Sequence, residues 1–194
     1  LFDNTRELLV NMHRLNDMRR INEHLLTAYS KLESGGLFVV NFIPLEKLKN
    51  HLRSQMPHFL YSIILPFYFI FHRVFPKLAV TKQIYFIITR GRNRVLSKSE
   101  VLGRLAFCGY EILNEINIED RFYFVCKKKK TISDEDSPSY GPIVRLKRIG
   151  YKGEPLYIYK LRTMYPYSEF IQGDIYEKYH LDKSGKMKAD YRIT

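Results

Sequence analysis

From Leu15 to Leu32 the apolar residues fall at Leu15, Met18, Ile21, Leu25, Ala28, Tyr29 and Leu32. That spacing predicts a helix, and Gly35-Gly36 just beyond it is a C-terminal stop signal. LFVVNFI (37–43) then reads as a short buried strand rich in β-branched and aromatic residues. Helix, Gly-Gly and buried strand in that order predict an α/β layer. A second helix opens at Ser97. Ser97-Lys98-Ser99-Glu100 fits a capping box, in which the serine caps a backbone N–H and the glutamate reaches back. This helix runs to Cys108, and Gly109 ends it. YEILNEINI and RFYFVCK, parted by Glu119-Asp120, predict an antiparallel hairpin. The lysine run and TISDEDSPS that follow form a polar, proline-containing linker, which places a domain boundary at 131–139.

Between these blocks lies HFLYSIILPFYFIFHRVFP (58–76), an apolar insert whose uncharged core of 13 residues is interrupted by Pro66. It is too short to span a bilayer as a helix, and it suits a buried, re-entrant or interfacial segment. Arg73, Lys77, Lys82, Arg90, Arg92 and Arg94 come directly after that core. An apolar helix beside a cationic flank has the pattern of an in-plane anchor on anionic lipid. A buried helix with a basic neighbouring loop has the same pattern.

Composition sharpens this. The chain has 194 residues, enough for one large or two small domains, and a hydrophobic fraction of 45% that argues against global disorder. Its net charge of +12 favours an anionic partner: phosphates, nucleic acid or an acidic membrane surface. The charge is local. Residues 72–104 carry eight Lys/Arg against Glu100, and residues 137–164 carry six against Glu154, so these segments (+7 and +5) account for all of it. Cys108 and Cys126 sit in apolar patterns and read as buried free thiols, and the six histidines form no cluster. The chain opens on Leu1 without a signal peptide and stops at Arg192-Ile193-Thr194. Both ends read as truncations, so an internal fragment of a longer protein is expected.

The second basic segment, GPIVRLKRIGYKGEPLYIYKLRTM (141–164), alternates apolar and cationic residues around a turn at 151–155. Period-two alternation puts Lys160 and Arg162 on one face with Leu156 and Ile158. It predicts a β-hairpin with cationic edges. Arginine offers a planar fork for phosphate and lysine adds a point charge. A solvated basic hairpin without specific contacts is the plain alternative.

Two resemblances follow from these residues. Residues 1–130 resemble the C-terminal half of a class I SAM-dependent methyltransferase. There ESGGLFVV corresponds to the segment before the fifth strand, EVLGRLAFCGYEIL to the last helix and sixth strand, and RFYFVCKKK to the seventh. Nothing like the Gly-rich cofactor loop of that fold occurs in residues 1–36. Residues 141–194 resemble the bacterial sugar transferases, the monotopic phosphoglycosyl transferases. The matching residues are Gly141, Pro142, Arg148, Gly150, Gly153, Lys160, Arg162, Thr163 and Met164, then Asp190, Arg192, Ile193 and Thr194.

The expected fold is thus α/β: a partial Rossmann-like, methyltransferase-type half-domain over 1–130, then the start of a small α+β sugar-transferase domain over 140–194. The second resemblance implies transfer of a sugar-1-phosphate from a UDP-sugar to a polyprenyl phosphate (undecaprenyl phosphate), assisted by Mg²⁺, at the cytoplasmic face of the bacterial inner membrane. It implies a substrate-binding set of Arg145, Arg148, Gly150, Gly153, Lys160, Arg162, Thr163, Asp190 and Arg192. The family's catalytic Asp-Glu pair lies downstream of the R-I-T motif, so no catalytic residue and no metal ligand is expected within this chain. The alternative expectation is a SAM-dependent methyltransferase, or a degenerate scaffold of that type, with a basic C-terminal extension. A nucleic-acid-binding module ranks last, because the apolar insert has no role in it.

Overall fold

The computed structural model describes residues 5–129, 141 and 143–171. A four-stranded sheet forms its centre. Strands β1 (Arg6–Arg14) and β2 (Leu32–Phe42) pair in parallel and are joined by a 3-10 turn at Leu15–Asp17 and helix α1 (Ile21–Lys31). Strands β3 (Tyr110–Ile118) and β4 (Arg121–Lys128) form the predicted hairpin. The hairpin folds back so that β4 lies between β2 and β3, giving the order β1-β2-β4-β3 with β4 antiparallel to both neighbours. The mixed α/β architecture expected from the hydrophobic pattern is present.

Two local readings are corrected. The helix begins at Ile21 rather than Leu15, because Leu15 and Asn16 are buried in the turn that precedes it. Gly35-Gly36 does not stop a helix; it lies inside β2, after Lys31 has ended α1. A Cβ on Gly36 would stand 3.1 Å from the carbonyl oxygen of Arg6. The residue admits the close approach of β1, and the β1–β2 register shifts around it, from Arg6↔Leu32 to Leu8↔Leu37.

One face of the sheet carries the core. Phe38, Val40 and Phe42 of β2 and Phe124 and Cys126 of β4 pack with Ile21 and Leu25 of α1 and with Val101 and Leu105 of α5 (Lys98–Phe107). Tyr110 stacks on Phe38 and donates its hydroxyl to the carbonyl of Leu25 at 3.0 Å. Across the other face, Leu8, Val10 and Met12 of β1 are each more than half exposed.

Between β2 and α5 the chain makes a long helical excursion: α2 (Leu45–Gln55), α3 (His58–Phe69), a π-helical turn (Ile70–Val74), a 3-10 turn (Phe75–Lys77) and α4 (Ala79–Thr89). Its two ends meet. Pro44 bridges Leu96, and Leu45 N–H donates to the carbonyl of Leu96 at 3.1 Å. Asn16 closes this neck. Its amide nitrogen donates to the carbonyls of Ile43 at 2.9 Å and Arg94 at 2.8 Å, and its amide oxygen accepts from Ile43 N–H at 2.7 Å. The ends of the excursion are thus fixed to the first crossover of the sheet.

Beyond the linker segment, which lies outside the described residues, β5 (Ile143–Ile149) and β6 (Pro155–Leu161) form the predicted two-stranded ribbon.

Candidate functional site

The excursion is anchored by one carboxylate. Ser97 accepts from Glu100 N–H at 3.2 Å, so the serine half of the predicted capping box is present. The glutamate half is corrected. The Glu100 side chain, fully buried, accepts from Arg73 Nη1 at 3.0 Å through one oxygen and from Arg104 Nε (3.2 Å) and Nη2 (3.0 Å) through the other. Burial alone would raise its pKa. The guanidinium groups of Arg104 and Arg73 overcome that and hold it at about 2.

Each cation is fixed further. Arg73 donates to the carbonyl of Val95 at 2.9 Å, and Arg104 donates to Asn22 Oδ1 at 2.6 Å. The Asn22 amide in turn donates to the Tyr167 hydroxyl at 2.8 Å, and Arg104 lies 4.3 Å over the Tyr167 ring. The cluster therefore joins the excursion, α5, α1 and the segment that follows the ribbon.

Two hollows flank it. One, of about 360 Å³, is lined by Phe69, Arg73, Lys77, Arg162, Thr163 and Tyr165 among others. Burial, and then the charge of Arg73, pushes the Lys77 ammonium down to about 8. The other, of about 400 Å³, is lined by Arg19, Arg20, Asn22, Lys82, Arg104 and Tyr167 among others. Basic side chains line both, beside a largely apolar wall in the first and Glu23 in the second.

The described residues do not assemble a nucleophile–base pair around these hollows. Burial pushes the Cys108 and Cys126 thiols up to about 12, which leaves them un-ionised and unreactive at neutral pH. His72 lies 3.2 Å from the Tyr85 hydroxyl, and burial lowers its pKa. Among the described residues no group of three His, Cys, Asp or Glu is placed to hold a metal ion.

The residues singled out from the sequence are spread over the ribbon. Directly opposed residues share a face, and faces alternate along a strand. Arg148 opposes Leu156 and Lys160 opposes Val144, on one face; Arg145 opposes Tyr159, on the other, with its guanidinium 4.7 Å over the Tyr157 ring. Leu156 and Lys160 are four positions apart on β6, so Arg148 and Lys160 stand roughly 13 Å apart along the ribbon. Gly150 and Gly153 shape the turn, with Gly150 N–H donating to Glu154 O at 2.7 Å and Gly153 at φ +83°. Arg162 turns inward: it donates to the carbonyl of Gly141 at 3.1 Å and pairs with Glu169 at 3.6 Å. Thr163 is exposed at the first hollow's rim. Asp190 and Arg192 lie outside the described residues. The structure brings Arg162 to Arg73 and Lys77 around one hollow and leaves Arg145, Arg148 and Lys160 on the exposed ribbon.

Sequence reasoning missed the Glu100 hub. The available signal was that Glu100 is the one acid among eight cations in 72–104, four residues before Arg104.

No family model matches the chain, and no curated protein does. Solved structures similar to it include an O-methyltransferase family 2 protein from Planctomyces limnophilus crystallised with apigenin, at 13% identity and a TM-score of 0.37, over 64% of this chain and 30% of that one. An O-methyltransferase family protein from Burkholderia thailandensis shows 13% identity and a TM-score of 0.34, over 63% and 29%. A possible exported protein from Bordetella parapertussis shows 13% and 0.38, over 65% and 40%. The chain spans less than half the length of each.

The sugar-transferase reading of residues 140–194, and the glycosyl-1-phosphate transferase activity with it, is corrected: no family model matches, and similar solved structures carry O-methyltransferase names instead. The geometry gives a physical reason. The cations that were to meet on phosphate occupy two faces of the ribbon, and Arg162 is engaged with Glu169.

Proposed function

We propose that this chain is a methyltransferase-type α/β half-domain serving as a scaffold, with no S-adenosylmethionine site of its own, that holds out a cationic helical excursion and a basic ribbon. The observation that carries this reading is the sheet. A β–α–β unit is followed by an excursion, a capped helix and a terminal hairpin whose last strand inserts antiparallel beside β2. That is the arrangement the resemblance over residues 1–130 implies.

The described residues do not fit the cofactor. Such a fold grips its nucleotide on a glycine-rich turn from a strand into a helix. The junction after β1, from Leu15 to Arg20, has no glycine and is filled by buried Leu15 and Asn16. The junction after β2 is Ile43-Pro44, tied to the neck of the excursion. Neither leaves a cradle for a pyrophosphate-sized or carboxylate-bearing ligand. The scaffold reading is tested by titrating S-adenosylhomocysteine into the 194-residue chain in a calorimeter. No saturable heat is expected. Binding tighter than about 100 μM, roughly −5.5 kcal/mol, contradicts the reading.

A further inference from the structure

In a protein that keeps its apolar side chains inside, the outward faces of α3 and α4 are anomalous. No residue of α3 is buried. Phe59 and Phe67 are each 71% exposed, and Leu60, Ile63 and Ile64 fall between them on the same side at helical spacing. On α4 the outward residues are Val80 (81%), Ile84 (55%), Ile87 (78%) and Ile88 (64%), while Tyr85 and Phe86 are buried. This is amphipathicity turned outward, on two helices of one excursion. A patch this large is beyond what a soluble surface carries without a partner.

Charge identifies the partner. Between Lys47 and Ser99 the sequence carries ten Lys or Arg and no Asp or Glu. Lys82, Arg90 and Arg92 are exposed on and just beyond α4, and Arg53 at the end of α2. An exposed apolar face with exposed cations on the same excursion, and no acid inside the segment, matches an anionic lipid surface: acyl chains for the apolar side chains and headgroup phosphates for the cations.

We infer that the excursion is a membrane-docking element, with α3 and α4 seated in one leaflet of an anionic bilayer. The 13-residue uncharged core read from the sequence as too short to span continues as a helical run from His58 to Lys77, which by length and composition alone is enough to cross a membrane. Arg73, however, is 5% exposed and bound to Glu100, so the end of the run stays in the protein core. What remains free is α3, whose 12 residues extend about 18 Å, near half of a bilayer. The inference rests on the exposure and charge of the excursion and does not depend on the cofactor-free reading of the sheet.

The test is flotation of the full chain with vesicles of phosphatidylcholine alone and of phosphatidylcholine with phosphatidylglycerol. The chain is expected to float with the anionic vesicles, at least about tenfold more than with the neutral ones. Phe59→Ser with Phe67→Ser, and separately Ile84→Ser with Ile87→Ser, are expected to lower that binding about tenfold each without unfolding the chain, since these side chains are exposed. Arg90→Gln with Arg92→Gln is expected to remove much of the preference for anionic lipid. Wild-type protein that stays at the bottom with both vesicle types overturns the inference, as do serine variants that float as well as wild type. If the chain does not float but sediments as a dimer that the serine variants lose, the face belongs to a second copy, and the lipid assignment is wrong.

Discussion

Glu100 ties the helical excursion to α5 through two buried guanidinium groups. It is the negative centre between Arg73, from the excursion, and Arg104, one helical turn further along α5. Removing one partner of a buried ion cluster leaves uncompensated charge in a low-dielectric site, which costs about 3–5 kcal/mol. Glu100→Gln is therefore expected to lower stability by that order in urea or thermal unfolding. A buried amide cannot neutralise two guanidinium groups. The pH dependence has a definite sign. The folded carboxyl titrates at about 2 against an ordinary value of 4.5, so the unfolded chain binds more protons in between. Its contribution is complete above 4.5 and falls away as pH drops toward 2. Glu100→Gln should lack this part of the acid transition. An unfolding profile between those pH values that is identical in wild type and variant contradicts the assignment.

At the scale of elements, the segment after the ribbon is seated on α5. Tyr167 and Phe170 pack against Phe107, and Tyr167 lies over Gly103. A Cβ on Gly103 would come within 2.1 Å of the Tyr167 carbonyl oxygen, a distance that no flexible side chain can relieve because the obstacle is backbone. Gly103→Ala is expected to displace the segment around Ser168–Phe170 and cost about 1–3 kcal/mol, although alanine is the better helix former. Limited proteolysis reads the outcome: new cleavage around residue 165 in the variant supports the packing, and an unchanged digestion pattern with unchanged stability denies it.

Much of this element structure was legible in the chain. The capped helix at Ser97, the strands either side of Glu119-Asp120 and the ribbon around 151–155 sit where period and turn residues placed them. Strand β1 was not legible. In RELLVNMHR the alternating Leu8, Val10 and Met12 face outward and Leu9 alone packs against the core, so its apolar pattern does not mark a buried face. The Glu100 hub was hidden for another reason. A capping glutamate and a buried ion-pair glutamate look alike until the partner helix is placed, and Arg73 lies 27 positions away.

At the scale of the whole molecule, the sheet and its two covering helices form one body, from which the neck at Asn16, Pro44 and Leu96 lets a cationic excursion project. The sequence offered two readings of its apolar segment, a buried helix or an interfacial one, and the exposure of α3 and α4 stands against the buried one. The ribbon's motif pointed elsewhere. Short strings of glycine, arginine and threonine satisfy turn and pairing geometry here, as Gly150, Gly153 and Arg162 do. They would satisfy it whatever the chemistry.

The most direct test of this account is hydrogen exchange, followed by mass spectrometry, on the full chain with and without anionic vesicles. Helices with few buried contacts open locally at low free energy. In water, α3 and α4 are therefore expected to exchange well before α5 and before β2 and β4, which carry the core. On vesicles, α3 and α4 alone are expected to slow. If α3 is as protected as β2 in the absence of lipid, its apolar face is already covered by protein, and the account of an outward-facing excursion is wrong.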